Sequence, residues 1–220
     1  MKVGRTIVTL PMTGALVALA SAGCASGPGI LVVAGAGTDN YYVADETGER
    51  DLTGYKRTGT TVEMPAGNYV VRLNGTRASV RVRSGRPVEV QAGSLVVSGS
   101  GADNYYVADS TGERDLTGYR RTSAPVELLP GTYVVRLMGT RAGATVKGGA
   151  RTEVVAGSLV VSGTGADNYY VADSTGDRDL TGYRRTGTPV ELLPGPYVVR
   201  LGEHRLLVQV RPGEQIATTP

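Results

Sequence analysis

Residues 94–137 read SLVVSGSGADNYYVADSTGERDLTGYRRTSAPVELLPGTYVVRL, and residues 158–201 repeat that string at 39 of 44 positions. One period earlier, residues 30–73 match residues 94–137 at 31 of 44. Leu31, Leu95 and Leu159 are spaced by 64, as are Asp39, Asp103 and Asp167. Such self-similarity at a fixed period means one small unit used repeatedly. The copies run over residues 30–93, 94–157 and 158–220, the last ending in a polar tail.

Within the second copy, Leu95-Val96-Val97 is a β-branched run stopped by the glycine-rich segment 98–101. Tyr105-Tyr106-Val107-Ala108 is a second strand, halted by Asp109-Ser110-Thr111-Gly112, a turn composition. Val126-Glu127-Leu128 alternates at period two, Leu129-Pro130-Gly131 turns the chain, and Tyr133-Val134-Val135-Arg136-Leu137 follows. That alternation sets Tyr133, Val135 and Leu137 on one face and Val134 with Arg136 on the other. Segments 144–146 and 153–155 complete six or seven strands, and no helical periodicity intervenes. Short strands with turn signals roughly every 8–12 residues indicate a sandwich or barrel. The expected fold is all-β: three tandem small antiparallel β-sandwich domains preceded by a signal peptide. A unit of this size falls below the roughly 70–80 residues at which one core suffices. Neighbours joined by connectors as short as Ala156-Gly157-Ser158 should therefore lean on one another as a stiff rod.

The first residues read as a leader segment and not as part of the repeats. Lys2 and Arg5 precede the apolar run from Thr6 to Ala20, broken by Pro11 and Gly14, and then small residues up to the sole cysteine, Cys24. This order is that of a secretory signal peptide over residues 1–23, with a tether over 24–29. Ser21-Ala22-Gly23-Cys24 resembles the lipobox of bacterial lipoproteins, with Ser21 where leucine is usual, and the resemblance implies a lipid on Cys24. Ala18-Leu19-Ala20 also fits ordinary signal cleavage, which would leave an unpaired thiol.

Without Lys2 and Arg5 the chain carries 21 basic and 20 acidic residues, spread evenly over the copies. That excludes the basic excess of a nucleic-acid binder. His204 is the only histidine, and Thr140 and Thr76 occupy its equivalent places. One histidine and one cysteine supply neither a catalytic triad nor a zinc site. The reading is therefore non-enzymatic, without cofactor or metal. The glycine-rich segments 35–40, 99–104 and 163–168 lead into strands and lack the helix N-terminus that would hold a pyrophosphate, so they are read as hairpin connections. Asp109 and its equivalents are read as turn residues rather than calcium ligands, because the loop pattern is missing.

With no Phe and no Trp, the twelve tyrosines fall four to a copy. Neighbours on a strand point to opposite faces. Hence one member of each pair, Tyr41 with Tyr42, Tyr105 with Tyr106 and Tyr169 with Tyr170, should face solvent or a partner. These six are the candidate ligand-binding residues.

The run from Tyr105 through Val135, with its Leu129-Pro130-Gly131-Thr132-Tyr133 turn, is similar to PEGA-type domains and to prealbumin-like, carboxypeptidase-regulatory-like sandwiches. The element recurs as Met64-Pro65-Ala66-Gly67-Asn68-Tyr69 and Leu193-Pro194-Gly195-Pro196-Tyr197. The resemblance implies a surface or envelope location and no activity of its own. The expectation is an exported, lipid-anchored envelope protein with a structural or adhesive role. Its alternative is a module that binds glycan or peptidoglycan through repeat tyrosines and arginines. Expected partners are the membrane, through the lipid, and envelope polysaccharide or other envelope proteins. Ala25 after the cysteine favours the outer membrane in a host with two.

Overall fold

The computed structural model describes residues 27–163 and 167–219. The expected signal peptide over residues 1–23 and Cys24 lie outside the described residues. The first repeat forms β1 (Gly29–Ala34), β2 (Asn40–Ala44), β3 (Lys56–Arg57), β4 (Thr61–Met64), β5 (Gly67–Leu73), β6 (Thr76–Val82) and β7 (Pro87–Gln91). The second forms β8 (Gly93–Ser98), β9 (Asn104–Ala108), β10 (Arg120–Arg121), β11 (Val126–Leu128), β12 (Gly131–Leu137), β13 (Thr140–Val146) and β14 (Arg151–Val155). The third forms β15 (Gly157–Val161), β16 (Asn168–Ala172), β17 (Arg184–Arg185), β18 (Val190–Leu192), β19 (Gly195–Leu201), β20 (His204–Val210) and β21 (Gln215–Thr218). Each repeat starts one residue earlier than the sequence boundaries, and Ala92 and Ala156 are single-residue connectors.

Every repeat packs a three-stranded sheet on a four-stranded one, in orders β4-β1-β7 and β3-β2-β5-β6 for the first. The antiparallel expectation holds at every strand pairing of each sandwich but one. The first and last strands of each repeat run parallel, as in Leu31 opposite Val88 and Leu95 opposite Thr152. The last strand reaches this sheet from the edge of the other one, so no hairpin dictates its direction.

The core lies between the sheets and follows period two. Leu95 and Val97 of β8, Tyr105 and Val107 of β9, and Val135 and Leu137 of β12 are all fully buried. Tyr133 closes the end of this core and donates its hydroxyl to the Leu129 carbonyl at 2.5 Å. A Cβ on Gly131 would lie 2.9 Å from that hydroxyl, which explains glycine in the turn. Asp109 accepts hydrogen bonds from the Thr111 hydroxyl (2.6 Å) and the Gly112 amide (3.0 Å). Asp45 and Asp173 form the same turn, led by their own threonine hydroxyls, and the three carboxyls are held below the usual carboxylate range.

The first two glycine-rich segments are not hairpins. Residues 35–39 and 99–103 carry the chain from the three-stranded sheet to the four-stranded one. That crossing puts them at the end of the sandwich, against the next repeat.

Candidate functional site at the repeat junctions

Glu127 on β11 obeys the alternation, pointing away from its own core, yet only 2% of it is exposed. It is covered by the first repeat. Its carboxylate accepts hydrogen bonds from the Asp39 amide (2.9 Å), the Thr58 hydroxyl (2.7 Å) and the Ala36 amide. The Asp39 carboxylate answers by accepting from the Glu127 amide (2.8 Å) and pairing with Arg120. Each of the two carboxylates thus accepts the other residue's main-chain amide across the junction. A buried carboxylate is tolerable only with such a set of donors.

The second junction repeats the clasp. Glu191 accepts from the Asp103 amide (3.0 Å), the Thr122 hydroxyl (2.6 Å) and the Ser100 amide, while Asp103 accepts from the Glu191 amide (2.9 Å) and pairs with Arg184 at 2.9 Å. Burial pushes the Glu191 carboxyl up, but the Thr122 hydroxyl and the amides of Asp103 and Ser100 outweigh it and hold the group low. The glycine-rich crossing is therefore an anion cradle after all, with a neighbouring side chain as its anion. A Cβ on Gly35 or Gly99 would collide with the Glu127 or Glu191 carboxylate, so glycine is needed there.

An apolar plug accompanies each clasp. Leu129 is 1% exposed and belongs to the core of the first repeat, and Leu193 likewise enters the core of the second. Their amides donate to the hydroxyls of Thr76 and Thr140, each at 3.2 Å. Tyr133 and Tyr197, bonded to the carbonyls of the same leucines, fix the turn that presents them.

Beside the junctions lie the tyrosine pairs, and the structure separates their members. Tyr41, Tyr105 and Tyr169 are fully buried and donate to the carbonyls of Thr60, Ala124 and Thr188 at 2.6, 2.6 and 2.8 Å. Burial pushes the Tyr105 hydroxyl up to about 12. These three are core residues and are withdrawn as ligand contacts. Tyr42, Tyr106 and Tyr170 are half-buried on the outer face of the four-stranded sheet. Each meets edge-on a ring that the sequence reading passed over: Tyr55, Tyr119 and Tyr183, with centroids 5.4, 5.5 and 5.8 Å apart. These partners are 72–76% exposed. The signal was available: a lone tyrosine in the polar stretch between two strands, recurring in each copy.

The first pair opens on a groove of about 610 Å³ at the junction, walled by Asn40, Asn74, Arg72 and Arg120 of the next repeat. The second opens on one of about 390 Å³, with Met138 in place of Asn74 and Arg184 in place of Arg120. Arg136 stacks over Tyr106 with its guanidinium 4.7 Å from the ring centre, and Arg200 over Tyr170 at 5.1 Å. Among the described residues no group of acidic, histidine or cysteine side chains is arranged to hold a metal.

No family model matches the chain, and no curated protein matches it. Among solved structures it is similar to the Bacillus anthracis TIE protein at 14% identity and a TM-score of 0.28. The similarity covers 88% of this chain and 50% of that one, so the chain spans about half the length of that structure.

Proposed function

We propose that this is an exported envelope protein, tethered by lipid on Cys24, whose three non-catalytic β-domains act as a short stiff spacer with a structural or adhesive role. The observation that carries the spacer reading is the doubled clasp. Glu127 and Glu191 are each 2% exposed, and separating two repeats would strip their carboxylates of specific donors. Single-residue connectors leave little slack between units. The outer membrane is the proposed destination in a host with two membranes. Palmitate labelling tests the tether: it is expected in the natural chain and lost in Cys24→Ser, whereas a mature, unlipidated chain starting at Ser21 would reject it. Small-angle scattering tests the spacer. The natural protein should scatter as one extended rigid body, and Glu127→Ala with Glu191→Ala should broaden the distance distribution; identical curves would reject junction stiffness.

The second reading, recognition of envelope glycan or peptidoglycan, is favoured by the recurring grooves with an exposed ring at their edge. Arg72 and Arg120 add two guanidinium groups to the wall of the first groove, where they can meet sugar oxygens. Binding to cell-wall polysaccharide should fall when Tyr42, Tyr106 and Tyr170 are changed to alanine, or when Tyr55, Tyr119 and Tyr183 are. Undiminished binding in both sets would remove the grooves from the argument.

A further inference from the structure

The same faces that clasp at the two junctions are also presented at the two ends of the array. We infer that both outer faces are altered so that no second copy can dock there through the clasp, and that the protein does not assemble head to tail into a filament.

At the leading face, position 65 holds proline where Leu129 and Leu193 plug the preceding core. Pro65 is exposed. It has no amide proton, so it cannot donate to a threonine hydroxyl as the leucines do at 3.2 Å. It also lacks the branched side chain that fills the neighbour's core.

At the trailing face, Glu203 stands where Gly75 and Gly139 pack on the next repeat. A Cβ on Gly75 would lie 2.5 Å from the Leu116 carbonyl oxygen, and one on Gly139 2.7 Å from the Leu180 Cα. Both obstacles are backbone, or bonded directly to it, and cannot swing away. The Gly139 amide also donates to the Leu180 carbonyl at 2.9 Å, which holds the two repeats at that distance. His204 replaces the threonine that receives the leucine amide. A copy approaching this face meets a side chain where contact requires none.

What the ends retain is their water-compatible half. Glu63 and Asp167, the counterparts of the buried Glu127 and Asp103, are exposed. Leu52, counterpart of the packed Leu116 and Leu180, is the apolar exception, 40% exposed. Repeat arrays need terminal units with a polar outer face to stay soluble, and here the two ends reach that state by different substitutions.

The experiment moves the cap residues inward. The full chain carrying Leu193→Pro, Gly139→Glu and Thr140→His should lose the second junction. Hydrogen exchange should then show the Ser100 and Asp103 amides, whose partner is Glu191, accelerating by two or more orders of magnitude. The Val199 amide, inside the third sandwich, serves as the control for folding and should stay slow. Persistent protection of Ser100 and Asp103 would overturn the inference. If the triple variant loses Val199 protection, Gly139→Glu alone gives the same decision. Sedimentation of the natural chain across a concentration series is the independent arm. A monomer is expected, and end-to-end association abolished by Glu63→Ala would overturn the inference.

Discussion

The two junctions share a clasp and differ in what surrounds it. Glu127 and Glu191 meet the same three kinds of donor, and Asp39 and Asp103 answer with the same pair of bonds. Beside them, the first junction has Asn74, whose amide donates to the Glu127 carbonyl at 3.0 Å. The second has Met138, which packs against the cores of both flanking repeats. Both residues have positive φ, 46° and 52°, a conformation that asparagine tolerates better than methionine. Arg136 is spent on Tyr106 and on Asp115 at 3.5 Å, while the Arg72 Nε has no partner. Buried charge is demanding: every oxygen must be met, so the clasp has one workable form. The groove, open to water, has no such constraint and has diverged between the copies.

The largest expected effect tests that equivalence. Glu127→Ala or Glu191→Ala leaves two amides and a hydroxyl without their acceptor. Each change should cost about 3 kcal/mol of unfolding free energy, given roughly 1–3 kcal/mol per orphaned buried group and partial rescue by water. Denaturant titration of the two variants measures it. A large cost at one junction and none at the other would break the comparison.

Acid probes the second clasp without mutation. The Glu191 carboxyl is held low in the fold, so its contribution is complete above the ordinary carboxylate range and is lost as pH falls through the lowered value. Asp45, Asp109 and Asp173 are held low as well, so global acid unfolding mixes junction and turns. Hydrogen exchange separates them: the Ser100 amide reports the clasp and the Gly112 amide reports a turn. The two should lose protection on acidification as distinct transitions, and coincident loss would mean that the junction does not open by itself.

Asn74→Met sharpens the difference on the other side. It removes the bond to Glu127 and places methionine in a left-handed turn, together about 1–2 kcal/mol. Met138→Asn should cost less, because relieved backbone strain offsets lost packing. Thermal unfolding of the pair checks the order, and the reverse order would show that packing, not backbone preference, dominates the turn.

The fold was largely legible because it is local. A period of 64, strands of alternating residues and the Leu-Pro-Gly-x-Tyr turn report on residues near one another in sequence. Tyr105 and Tyr106 had to part for the same reason. The clasp was not legible, since Glu127 meets Asp39 at a separation of 88 residues. Seen alone, a glutamate flanked by Val126 and Leu128 is an ordinary outward strand residue. Its burial depends on a neighbour that periodicity announces without orienting. The parallel pairing of first and last strands escaped for a related reason: direction across a sandwich leaves no local mark.

The smallest expected effect bears on the grooves. Tyr55 and Tyr119 are more than 70% exposed, and each touches its partner ring edge-on. Such pairs contribute about 0.5–1.5 kcal/mol beyond area burial, and solvent exposure places these at the lower end. Tyr55→Ala and Tyr119→Ala should therefore each shift stability by about 0.5 kcal/mol or less. The Tyr119 change should be the larger, because it uncovers the Tyr106 ring on which Arg136 rests. A cost several times greater in both variants would mean that the rings brace the sheet and have no surface to spare. Near-neutral changes would leave them free to meet a ligand, with the larger first groove the place for binding to be strongest.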